Sequence, residues 1–144
     1  MTNKACVVPY PGMIITENTT FQPGEYDFSS GQGVIIAADG ITIDGNGAIL
    51  KGRGKRGNKY SYRGIGVYAS GVDGVTVKGL TVTGFQLGMK VLHGRDWTIE
   101  NNDFSENYDD PDYGWGDGEP LGALMLEHVH RSVIRANRGV HVWN

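Results

Sequence analysis

Cysteine is almost missing from this chain: Cys6 stands alone among 144 residues, so neither a disulfide framework nor a cysteine-based zinc site is built within one copy. Proline is scarce as well, at five residues, which argues against a disordered proline-rich polymer. Long apolar runs are absent. The longest, Val34 to Ala38 and Leu121 to Leu126, fall far short of the roughly 20 residues of a membrane-spanning helix. Basic residues are not in excess: 13 Lys and Arg face 16 Asp and Glu, for a net charge of −3. That balance supplies no cationic footprint for DNA or RNA. No nucleic acid and no membrane are therefore expected as partners. The size is that of one domain. The opening MTNKACVVPYPG has no apolar signal segment, and a secreted or periplasmic chain whose signal is not part of this sequence is the expectation.

What the chain has instead is glycine, 23 residues or about 16%, against roughly 7% on average, and a repeating phrase. DGITI at 39–43 returns as DGVTVKGLTVTG at 73–84, then as RDWTIENNDF at 95–104 and HRSVIRANRG at 130–139. Apolar residues two apart (Ile41/Ile43, Val75/Val77, Trp97/Ile99) each follow a turn pair, which is strand patterning. A second strand signature precedes each turn, in GVIIA at 33–37, IGVYA at 65–69, GMKVL at 88–92 and GALML at 122–126. A third follows at Thr81 to Thr83 and at Asp103 to Ser105. The interval from Val75 to Trp97 is 22 residues, while Ile41 to Val75 is 34 and Trp97 to Ser132 is 35. Insertions of about 12 residues at 51–62 and 107–118 account for the excess, each between the third strand of one unit and the first strand of the next. Twenty-two residues hold three short strands and no helix. The expected fold is all-β, a parallel β-helix of about four to five rungs. The same register aligns Asn46, Leu80, Asn102 and Asn137 at one turn, where stacked asparagines bond to one another and to the backbone.

The run GVYASGVDGVTVKGLTVTG, followed by GMKVLHGRDWTIENNDFSEN, resembles the right-handed parallel β-helix repeats of the pectin-lyase-like superfamily over residues 13–144. The resemblance implies a right-handed solenoid whose GVYAS strand lies in the sheet lining a substrate groove. It makes residues 1–33 an atypical N-terminal capping rung and 34–144 the rungs proper, within one domain. It also fits polysaccharide lyases, hydrolases, binding modules and inert stalks, because one fold hosts all of these.

Alternation places Val67/Ala69, Met89/Val91 and Leu124/Leu126 inward, so Tyr68, Lys90 and Met125 form one outward column and Ser70, Leu92 and Glu127 the next. His93 and His128 follow at the turn. Both insertions emerge beside this sheet and are expected to wall a groove for an elongated ligand. The first carries Arg53, Lys55, Arg56, Lys59 and Arg63 with Tyr60 and Tyr62 among them, a cationic and aromatic strip that suits an acidic sugar; the alternative is a solvated loop. The second offers Asp109, Asp110, Asp112, Asp117 and Glu119 beside Tyr113 and Trp115. Those carboxylates suit Ca²⁺ or acid–base work, or are simply solvated.

The leading functional expectation is an acidic polysaccharide cleaved by lyase-type β-elimination. Lys90 would be the base, with His93, Arg95, Glu127 and His128 assisting, and Arg53, Arg56, Tyr60, Tyr62, Arg63, Tyr68, Tyr113 and Trp115 binding the substrate. Asp117, Glu119 and Glu127 are the candidates for a paired-carboxylate hydrolase. The alternative class is a non-catalytic glycan-binding or structural module, in which Lys90 is an ordinary strand lysine. His128, His130 and His141 lack a third nearby ligand and are read as structural, and Trp97 as core. The chain stops at GVHVWN with no cap, so association of copies through open solenoid ends is expected.

Overall fold

The computed structural model describes residues 5–108 and 122–142. In chain order its strands are β1 (Cys6–Val7), β2 (Ile14–Ile15), β3 (Thr19–Phe21), β4 (Glu25–Asp27), β5 (Val34–Ile36), β6 (Thr42–Asp44) and β7 (Ile49–Lys51). There follow β8 (Ile65–Ser70), β9 (Thr76–Lys78), β10 (Thr81–Thr83), β11 (Leu87–Arg95), β12 (Thr98–Glu100), β13 (Gly122–His130) and β14 (Val133–Arg135). A single 3-10 turn, Lys59–Ser61, is the one helical element among the described residues.

The strands form three sheets, in the orders β2-β5-β8-β11-β13, β1-β3-β6-β9-β12-β14 and β4-β7-β10. Every pairing between named strands is parallel. Each stretch of chain therefore gives one strand to each sheet and then repeats, an all-β arrangement consistent with a β-solenoid. Residues 14–27 already make such a rung, since β2, β3 and β4 pair with β5, β6 and β7 in turn. At 103–105, where a third strand is expected, there are only isolated bridges: Thr81 to Asp103, and Asp103 to Arg138. The second bridge sets the register of the last described residues, which lie in the third-sheet position.

Alternation decides which side chains fill the interior. Val67, Ala69, Met89, Val91, Val75, Val77, Trp97 and Ile99 are all buried, as the period-2 pattern requires. Leu126 and Ile134 occupy the same columns as Val91 and Ile99 but are 36% and 40% exposed, because no described strand stacks beyond β13 and β14. Trp97 fits because residue 94 is glycine: a Cβ there would come within 2.6 Å of the indole Nε1, which donates to the Val72 carbonyl at 2.8 Å.

The repeated Asp-Gly has a mechanical reason. Asp39 Oδ1 accepts the Asp73 N–H at 2.8 Å and Asp73 Oδ1 accepts the Arg95 N–H at 3.0 Å, so each side chain ties its turn to the next rung. The following residue must be left-handed, as Gly40 and Gly74 are, with φ of 68° and 69°. In the next two rungs Asp96 and Arg131 take that conformation without glycine, at φ of 58° and 49°. They also pair with each other, Arg131 Nη2 to Asp96 Oδ2 at 3.1 Å.

The asparagine column forms a ladder between the second and third sheets. Asn102 Oδ1 accepts the Leu80 N–H at 3.1 Å, and Asn137 Oδ1 in turn accepts the Asn102 N–H at 3.1 Å. Their amides donate to Val77 O at 3.0 Å and Ile99 O at 2.8 Å. Leucine is tolerated at 80 because the N–H that an asparagine there would serve, that of Asn46, is already bound by Asp44 Oδ1 at 2.9 Å. A second buried asparagine, Asn107, does the same work one turn later. Its Oδ1 accepts the Phe85 N–H at 2.9 Å and its amide donates to Val82 O and Phe104 O.

Candidate functional site

The outward residues of the first sheet fall in register. Ile14 pairs with Ile35, Ile35 with Tyr68, Tyr68 with Lys90, and Lys90 with Met125. Tyr68, Lys90 and Met125 are half-buried, and Ile14 and Ile35 are 62% and 38% exposed. Beside this column stand Ser70, Leu92 and Glu127, as alternation predicts. A hydrogen-bonded sheet holds the column, and strands lie about 4.8 Å apart, so Ile35 to Met125 spans about 14 Å of rigid surface.

At the end of the same sheet lies a polar cluster. His93 and His128 face each other across β11 and β13 with ring centroids 5.0 Å apart and planes 4° from parallel. Arg95 and His130 are direct partners two residues on. Together with Asp73 and Gly94 these residues line a shallow cavity of about 290 Å³. Glu127 Oε1 is 3.9 Å from His128 Nε2, with both side chains at least half exposed. Among the described residues no group of three or more His, Cys, Asp or Glu side chains is arranged to hold a metal ion.

The first insertion does not wall this face as a unit. Arg53 and Lys55 line a cavity of about 570 Å³ with Glu25, Asp27 and Lys51, on the flank of the third sheet. Tyr62, expected to offer a sugar-stacking ring, is instead 1% exposed and packs on Tyr108 at a centroid distance of 5.6 Å. Gly54 makes that possible: a Cβ there would lie 2.0 Å from the Tyr62 ring. Arg63, expected to meet a carboxylate, donates from Nη1 to the Tyr60 and Tyr62 carbonyls at 3.1 and 2.9 Å and so closes the loop on itself. Arg56 is exposed, as is Tyr60 at 76%, with the Lys59 ammonium 5.3 Å from its ring centroid. Asp109, Asp110, Asp112, Tyr113, Trp115, Asp117 and Glu119 lie outside the described residues.

Sequence reasoning missed Asp73 and the buried Asn107, and it read His130 as structural. Asp73 and His130 reach the cluster only through strand register, and Asn107 reads in sequence as an ordinary loop residue. The 35-residue step from His93 to His128, and from Arg95 to His130, is the signal that finds the cluster. Compared with family models, with curated proteins and with solved structures, the chain gives no significant match to any of them.

Proposed function

We propose that the chain is a section of right-handed parallel β-helix, resembling the pectin-lyase-like superfamily, whose first sheet binds an acidic polysaccharide along the stacking direction. The observation that carries this reading is the in-register column of Ile35, Tyr68, Lys90 and Met125. It gives a polymer one aromatic face for a sugar ring, apolar neighbours for the ring's C–H edge, and one cation for a carboxylate, all on rigid strands.

β-Elimination is the reaction that the column favours if it is catalytic, with Lys90 as the residue that would take the proton α to a carboxylate. A lyase also needs a cation on that same carboxylate. Arg95, the arginine on the same strand, is five residues further along, about 16 Å by strand rise. That is too far to hold the sugar that Lys90 would deprotonate, so binding is better supported than cleavage.

Titration calorimetry with polygalacturonate and with neutral dextran separates the readings. Selective binding of the acidic polymer, weakened roughly fivefold to tenfold in Tyr68→Ala and in Lys90→Ala, is the expected result. A rise in ultraviolet absorbance from unsaturated product that Lys90→Ala abolishes would move the protein to the lyases. Equal affinity for both polymers would leave a glycan module without preference for acid, and none for either a structural solenoid.

A further inference from the structure

β11 and β13 each break stride at one residue. His93 and His128 adopt left-handed backbone at φ of 53° and 54°, where side chains carry a cost of about 1–3 kcal/mol. The equivalent residue one rung earlier is Gly71, at φ of 73° with its N–H on Leu92 O, which adopts the conformation without that cost. Two successive rungs thus place an imidazole where glycine suffices for the backbone. The conformation turns both rings outward, beside Arg95 and His130 and against each other.

Charge decides what this cluster holds. Arg95 is opposed by Asp73, whose Oδ1 already accepts the Arg95 N–H, and by Glu127 near His128. One positive and two negative groups leave −1 while the three imidazoles are neutral and +2 when all three are protonated. Of the other charges nearby, Asp96 and Arg131 pair with each other, and Asp39, which accepts the Asp73 N–H, adds one negative charge a rung away. With fewer than three suitable ligands grouped together among the described residues, a metal ion is not the favoured occupant.

We propose that His93, His128, Arg95 and His130 form an acid-gated oxyanion subsite that seats a carboxylate group of the bound polysaccharide. It deepens the acidic-glycan reading and rests on it. Protonated imidazoles and the guanidinium donate charge-assisted hydrogen bonds to the anion, while the rigid strand register fixes their spacing.

Imidazole signals of His93, His128 and His130, followed by NMR, test it with trigalacturonate and with inorganic sulfate as probes. The signals should move saturably, with trigalacturonate affinity about tenfold or more higher near pH 5.5 than near pH 8. The double variant His93→Gly/His128→Gly should lose the acid-side gain and keep its fold, because Gly71 already stands at that place. Should it loosen, His93→Asn/His128→Asn serves, since asparagine tolerates left-handed backbone and carries no charge. Trigalacturonate binding that ignores both pH and the histidine variants overturns the subsite and leaves the glycan reading standing. Sulfate shifts without any trigalacturonate binding overturn the glycan reading and assign the site to a free anion. Imidazoles that respond to Zn²⁺ alone and to neither anion overturn the oxyanion assignment.

Discussion

Replacing Asn102 by leucine isolates the asparagine ladder from the shape of the core. The residue is 3% exposed, and leucine already stands at the equivalent place one rung earlier, as Leu80, so sterics allow the change. What is lost is polar: the Leu80 N–H loses Asn102 Oδ1, and the Val77 carbonyl loses the Asn102 amide. Each buried group left without a partner costs about 1–3 kcal/mol, so about 2–6 kcal/mol is expected in all. Against a total stability of roughly 5–15 kcal/mol this is a large fraction. With a urea slope of about 2 kcal/mol per M, a loss of 4 kcal/mol lowers the unfolding midpoint by about 2 M, the slope itself staying unchanged. Asn46→Gly is the internal control, since glycine keeps the left-handed backbone of residue 46 at φ of 51° without strain. Asn46 is exposed, its amide makes one bond of 3.2 Å to Phe21 O, and under about 1 kcal/mol is expected. Asn107→Leu should fall with Asn102, since it too is buried and bonds three backbone groups. The reasoning fails if Asn102→Leu shifts the midpoint no more than Asn46→Gly does.

Gly94→Ala should destabilise by about 1–3 kcal/mol in thermal unfolding, because its methyl would press on Trp97 Nε1 and, at 2.8 Å, on the Val72 carbonyl. Trp97→Phe removes the bond to Val72 O and part of the ring volume, and about 2 kcal/mol is expected by urea unfolding. Arg131→Ala should change stability by less than about 0.5 kcal/mol, because the Arg131 and Asp96 side chains are 68% and 53% exposed. The Ser29 hydroxyl and then its N–H hold the Asp27 carboxyl below its ordinary value of 3.8. A lowered folded-state value stabilises above pH 3.8 and is lost as the pH falls through the folded value. NMR titration of Ser29→Ala should accordingly show Asp27 moving back up.

Much of this architecture is legible from spacing alone. A 22-residue period with apolar pairs two apart leaves no room for helices and makes Val75, Val77, Trp97 and Ile99 core residues. Stacking identical segments in parallel then brings like residues together, so the asparagine column could be aligned before any coordinates. The candidate site was legible only in part. Tyr68, Lys90 and Met125 share a column because alternation on one strand is local information. Tyr62 and Arg63 could not be placed that way, since an irregular loop obeys no period. Only packing against Tyr108 buried Tyr62, and only closure onto the Tyr60 and Tyr62 carbonyls tied down the exposed Arg63.

The sequence by itself determined the repeat, the inward and outward faces of its strands and the turns that need left-handed residues, because each depends on neighbours within a few positions of the chain. Tertiary structure alone decided what those turns assemble. Residues 22 to 35 positions apart become neighbours only when rungs stack. Two imidazoles meet ring to ring, and Arg95 gains His130 beside it, through a register that no local preference encodes.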